Sequence, residues 1–152
     1  MSDWQRLHEI VRIHSDWVTL IAERWLCDFR PAIQRATLDF PGGRLPAGKR
    51  PDELVPLLLE RELGLPATAI VHTRSLNATP WVINSAFSNQ GLWGLVAEID
   101  PSHPVPEAHI GQRAPATEAG VRELLEAIDC LQCRAVLLEW ARAEGCASEG
   151  FG

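Results

Sequence analysis

Between Val121 and Trp140 the apolar residues fall at helical spacing. Val121, Leu124, Leu125 and Ile128 recur every three or four positions, and Val136, Leu137 and Trp140 continue the stripe. Thr117 stands before them as an amino-terminal cap, and Asp129 to Leu131 marks a break in the run. A different period governs Leu92 to Ile99, where Leu92, Gly94, Val96 and Glu98 alternate with Trp93, Leu95, Ala97 and Ile99, which predicts a strand. Further strands are expected over Thr68 to Leu76 and, shorter, at Trp81 to Ile83. Trp17 to Leu26 is rich in β-branched and aromatic residues and reads as a strand that Asp28 to Pro31 ends. Arg35 to Phe40 alternates as a short strand, closed by a tight turn at Pro41, Gly42 and Gly43. Trp4 to Ile13 has no clean period and reads as a short helix or an edge strand.

After a loop through Gly48, Lys49 and Arg50, Pro51 suits the first position of a helix, with Asp52 and Glu53 complementing the dipole of the first turn. The helix should run to about Leu63 and end on a left-handed Gly64, with Pro66 preventing continuation. Pro56 lies inside it and predicts a bend or a delayed start near Leu54. Pro101, Pro104, Pro106 and Pro115 mark a long connection expected to be mostly irregular surface loop. One domain over residues 1–144 and a small, polar, flexible tail over 145–152 complete the expected organisation.

The chain has 152 residues and a formal charge of −6, which opposes sequence-independent binding to nucleic acid. The most apolar stretch, Trp17 to Leu26, is too short for a bilayer and is interrupted by Glu23 and Arg24. Asp3, Arg6, His8 and Glu9 do not form a secretory leader, so a soluble cytoplasmic protein is the expectation. Of the four cysteines, Cys130 and Cys133 form one Cys-x-x-Cys pair, with no second pair or His cluster to complete a tetrahedral site. An ordinary helix turn with one buried and one exposed thiol is expected there, with a structural zinc site or a redox pair as the alternative. The five histidines show no ligand spacing, and Trp81 and Trp93 are read as packing residues before stacking platforms.

Leu38 to Gly48, followed by a helix ending in Glu62-Leu63-Gly64-Leu65, resembles the box of the Nudix hydrolases, G-x5-E-x7-R-E-U-x-E-E-x-G-U with U a bulky aliphatic residue. Without gaps the first glycine falls on Gly43 and the last glycine and aliphatic residue on Gly64 and Leu65. Lys49 then stands at the first glutamate, Leu57 and Leu58 at the Arg-Glu pair, and Arg61 at the next glutamate. Glu62 keeps the last acid and Leu59 the aliphatic position. A second register starts at Gly48 and takes Glu53 and Arg61-Glu62-Leu63, but it needs two deletions that would shift the helix by about a turn. Outside the box, Trp25 to Ala32, with Arg30, is similar to a stretch preceding the box in ADP-ribose pyrophosphatases. Asn84 to Gly91 is similar to a later loop of the same enzymes, with Gln90 at the family's acid.

The resemblance implies an α/β fold, a Nudix-type α/β/α sandwich with a mixed sheet. It also implies cleavage of a nucleoside diphosphate linked to another moiety, assisted by Mg2+ or Mn2+. Those cations need oxygen ligands, and acids at i, i+3 and i+4 of a helix converge on one cluster. Here these positions are Leu58, Arg61 and Glu62. Glu62 is thus the candidate catalytic and metal-binding residue, and Arg30, Arg61, Gly43 and Gly48 are the candidates for holding a nucleotide or other phosphate-containing ligand. Arg61 can grip phosphate oxygens without a metal. Two functions compete: a catalytically weak or inactive binding, regulatory or assembly module, and a working pyrophosphohydrolase in which Asp39 or Glu98 joins Glu62. The ordinary reading of Asp52, Glu53, Glu60 and Arg61 is a solvated helix surface. A homodimer built from the carboxy-terminal helices and the Trp17 to Leu26 strand is also compatible with the resemblance.

Overall fold

A computed structural model describes residues 5–13, 17–21, 37–86 and 89–146, the first two segments by their backbone. Seven strands form one mixed sheet: β1 (Gln5–Ile13), β2 (Trp17–Ile21), β3 (Gly42–Leu45), β4 (Ile70–Ser75), β5 (Trp81–Val82), β6 (Gly91–Ile99) and β7 (Ile110–Pro115). Three helices, α1 (Val55–Leu63), α2 (Glu118–Ala127) and α3 (Leu131–Ala143), cover its two faces. The main order is β4-β6-β1-β2-β7. Strands β1 and β6 run parallel along their length, from Gln5 opposite Gly91 to Ile13 opposite Ile99. The other pairings are antiparallel, and the outer edge of β1 is shared between β3 and β2. The segment expected as a short helix or an edge strand is thus a strand over Gln5–Ile13, and it lies inside the sheet and not at its edge.

The period-two pattern of β6 explains how one strand serves two cores. Leu92 and Val96 pack with Phe40, Val121, Leu124, Val136, Leu137 and Trp140 beneath α2 and α3. Leu95, Ala97 and Ile99 point the other way, into the cluster of Val55, Leu58, Leu59 and Leu63 from α1. Alternation between faces is what a pleated strand imposes, and a strand covered on both sides is apolar on both. Each aliphatic side chain buried this way contributes about 1.5–3 kcal/mol.

The box helix begins as the proline pattern requires. Pro51–Leu54 forms a 3-10 turn, and α1 starts at Val55, which puts Pro56 in the first helical turn, where its missing N–H has no partner to lose. At the other end Gly64 adopts φ 65°, and the Leu65 N–H reaches Leu59 O at 3.3 Å. Thr117 caps α2 by accepting from the Gly120 N–H at 3.3 Å. The α2–α3 corner falls at residues 128–130, where Arg134 donates to Leu125 O and, at 3.1 Å, to Ile128 O. Among the described residues no helix is long and apolar enough to cross a membrane.

Two expectations need correction. Residues 37–41 are not a strand, and Gly42 and Gly43 do not form the turn that closes one; they open β3, which pairs with β1. The proline-rich connection is also more ordered than expected. It contains a 3-10 turn at Glu107–His109 and the edge strand β7, whose final residue is Pro115. An edge strand can end on proline because that residue has no ladder donor to provide.

Candidate functional site

The box residues meet where β3 crosses α1. Leu58, Arg61 and Glu62 occupy one face of the helix, as i, i+3 and i+4 spacing requires. Gly43 lies directly opposite. A Cβ built on it would sit 2.7 Å from Leu58 Cδ2 and 3.7 Å from Arg61 Nη2. A side chain at this position would have to displace Leu58, which is only 4% exposed and fills the space beside the glycine with hydrocarbon. Arg61 donates from Nη2 to Gly42 O at 3.0 Å and forms an ion pair with Glu62. Its side chain is 60% exposed, whereas that of Glu62 is 16% exposed.

Of the remaining box positions, the aliphatic residues Leu59 and Leu65 are buried, whereas Lys49 and Leu57 face outward. Lys49 is exposed and pairs with Glu53 at 3.4 Å, and Leu57 is 62% exposed. Gly48 occupies a turn with φ 78°, closed by the Lys49 N–H on Pro46 O at 3.2 Å. Glu60 is exposed. Asp52 pairs with Arg50, whose hydrogen bonds hold the Asp52 carboxyl below its usual range. Arg30, and with it the whole of the Trp25 to Ala32 stretch, lies outside the described residues.

Among the described residues, the donor set around Glu62 does not fit a magnesium or manganese centre. Two unit charges about 4 Å apart interact by about 1 kcal/mol in water and about 4 kcal/mol near a protein surface, and a divalent ion doubles the term. The Arg61 guanidinium would repel such an ion while already neutralising Glu62. Among the described residues, Glu62 belongs to no group of three or more His, Cys, Asp or Glu ligand atoms within 4.8 Å of one another. The two acids considered as replacements go elsewhere. Glu98 lies on β6 opposite His72, at an even position in register with Leu92 and Val96, on the face away from α1. Asp39 is buried beside Cys133, at the core beneath α2 and α3.

Sequence spacing could not have joined Asp39 to the cysteines. Cys130 is the residue before α3 and Cys133 lies in its first turn, so the Cys-x-x-Cys spacing itself is legible. The third member comes from the segment before β3, and ligand atoms of Asp39, Cys130 and Cys133 all lie within 4.8 Å of one another. Cys133 is fully buried, as expected of one thiol of the pair, whereas Cys130, expected to be exposed, is partly buried. The hydrogen bond from Cys133 draws the Cys130 thiol down to about 6 against the opposing effect of burial, helped by the backbone N–H groups of Cys133 and Gln132. The same hydrogen bond and burial push the Cys133 thiol up.

One further polar residue was not anticipated. Asn77 is buried; its amide nitrogen donates to Thr79 O at 2.7 Å and Leu92 O at 3.0 Å, while its oxygen accepts from the Gly94 N–H at 2.9 Å. It ties the β4–β5 turn to β6. Nearby, an apolar groove of about 310 Å³ opens between β5 and the start of α3, lined by Trp81, Val82, Ile83, Leu92, Leu131, Gln132 and Ala135.

No protein-family model matches the sequence, and no curated protein does. Solved structures do match. An ADP compounds hydrolase superposes with a TM-score of 0.70 at 15% identity, over 96% of this chain and 77% of that one. A mutT/nudix family protein from Listeria innocua gives 0.64 at 14% identity, over 95% and 96% of the two chains. An Ap4A hydrolase from C. elegans gives 0.58 at 7% identity, over 93% and 98%. Together with the mixed sheet between two helical layers, these likenesses show that the chain has the fold of the Nudix hydrolases.

Proposed function

We propose that this chain is a Nudix-fold recognition module that binds a phosphate-bearing small molecule of the nucleoside-diphosphate class without a catalytic metal, and hydrolyses it weakly or not at all. What supports this is the Arg61–Glu62 pair beside Leu58. The one acid kept at a box position is neutralised by a guanidinium, and the neighbouring acid position is filled by a buried aliphatic side chain. Arg61 is the residue on which a phosphate would land. Its planar fork can exchange the Glu62 contact for a bidentate phosphate contact, which a lysine could not reproduce. Gly43 and Gly48 shape the backbone around it, and Arg30 is a further candidate for a phosphate contact. The names of two similar structures, hydrolases of ADP compounds and of Ap4A, suggest the ligand class and also favour the second reading, a pyrophosphohydrolase of such compounds.

Titration calorimetry with ADP-ribose on the full chain tests the binding claim. Affinity should be the same in Mg2+ and in chelator, and Arg61→Ala should weaken it by at least about tenfold, the loss of one charge-assisted contact. Binding that requires the metal, or that Arg61→Ala leaves unchanged, contradicts the proposal. An absence of heat in both buffers removes the ligand class.

A further inference from the structure

We infer that Asp39, Cys130 and Cys133 form a binding site for a thiophilic divalent cation of the zinc class, separate from the box. Two thiolates and a carboxylate are a donor set that zinc accepts, and thiolates disfavour magnesium and calcium. The spacing already approaches what the ion would need. With Zn–S of about 2.3 Å and Zn–O of about 2.1 Å, a tetrahedral centre sets sulfur and oxygen about 3.6 Å apart, and Cys133 Sγ lies 3.7 Å from Asp39 Oδ1.

The groups around the three ligands are arranged as a metal site's supporting contacts usually are. Thr37 Oγ1 donates to Asp39 Oδ2 at 3.2 Å, which fixes the carboxylate and leaves Oδ1 facing the thiols. The Phe40 N–H points at Cys133 Sγ from 3.5 Å. Cys130 stands at the residue before α3 without a side-chain cap hydrogen bond, where the partial positive charge of a helix start favours a thiolate. A divalent ion held by two thiolates and a carboxylate leaves one net negative charge against those N–H donors. Cys130 Sγ now lies 3.1 Å from Gln132 Oε1, a contact that binding would replace. Cys130 is the partly exposed member, so the ion enters there and its fourth position is left to water.

Cobalt(II) titration of the reduced, metal-free full chain tests this. One equivalent should produce the ultraviolet thiolate-to-cobalt charge-transfer band, and Zn2+ should displace it. Cys130→Ser, at a partly exposed position, and Asp39→Asn, which keeps the side-chain shape, should each weaken cobalt binding by at least about tenfold. Thr37→Val should cost about 10–100-fold by unfixing the carboxylate. Zinc at about a thousandfold excess over its Kd should raise Tm by on the order of 10 °C in wild type and not in Cys130→Ser. No band in the reduced protein, a band unchanged in Cys130→Ser and Asp39→Asn, or a band lost in Cys146→Ser or Cys27→Ser instead, overturns the inference.

Discussion

Replacing Gly43 with alanine places a methyl group 2.7 Å from Leu58 Cδ2. Ordinary carbon–carbon contact lies at about 3.5–4.0 Å, so either Leu58 leaves its rotamer or β3 withdraws from α1. Overpacking of that kind costs about 1–3 kcal/mol. Gly43 is not among the glycines with positive φ, so alanine fits the backbone and the stiffer unfolded chain offsets about 0.4–1 kcal/mol. The net expectation is a destabilisation of about 1–2 kcal/mol, a fall in Tm of about 2–8 °C for a chain of this size. Leu58→Ala alone removes a buried side chain and should cost about 2–5 kcal/mol. In the double variant the new methyl enters the space Leu58 vacates, so the two costs should fall short of their sum by about 1 kcal/mol. Urea unfolding of the four proteins measures this coupling. Additivity to within about 0.3–0.5 kcal/mol would mean that Leu58 does not occupy the space opposite Gly43, and the account of the box as a packed junction would be wrong.

Asn77→Ala should destabilise by about 2–4 kcal/mol in urea, because it strands the Gly94 N–H and the Leu92 carbonyl in a buried place; a loss under about 1 kcal/mol would show that water replaces the amide. Thr117→Ala should cost about 1 kcal/mol through the lost α2 cap, with Thr117→Ser nearly neutral. Trp140 is fully buried and its Nε1 has no hydrogen-bond partner among the described residues. Trp140→Ala should cost about 3–5 kcal/mol in thermal unfolding, whereas Trp140→Phe should cost much less, since removing the unpaired N–H offsets about 1–3 kcal/mol of lost packing. Equal losses in the two variants would refute that assignment.

Local physics made much of this fold readable. Thr117, Gly64 and Pro56 each act on the backbone within one turn of themselves, so their caps and the delayed helix start follow from neighbours in the chain. The alternation of Leu92 to Ile99 likewise states its own strand. What escaped depends on distant partners. Gly42 and Gly43 look like a turn because glycine has little strand preference, and only the approach of Leu58 from α1 makes glycine necessary in β3. β7 was hidden because its Gln112 and Arg113 are polar and the prolines before it and at its end mimic a loop; its strand character comes from pairing with β2. At the site, the substitution of the box acids was legible residue by residue, but the Arg61–Glu62 pair was not. Nor was the destination of Asp39, which pairs in space with cysteines more than ninety residues away.

The most direct test of metal-free recognition without hydrolysis is AMP formation from ADP-ribose by the full chain in saturating Mg2+ and in Mn2+, quantified beside Glu62→Gln and a protein-free control. AMP at the level of the control in both metals, with no component that Glu62→Gln removes, is the predicted result. Metal-dependent AMP formation that Glu62→Gln abolishes would contradict it, and would show that a single carboxylate paired to Arg61 still supports the chemistry of the fold.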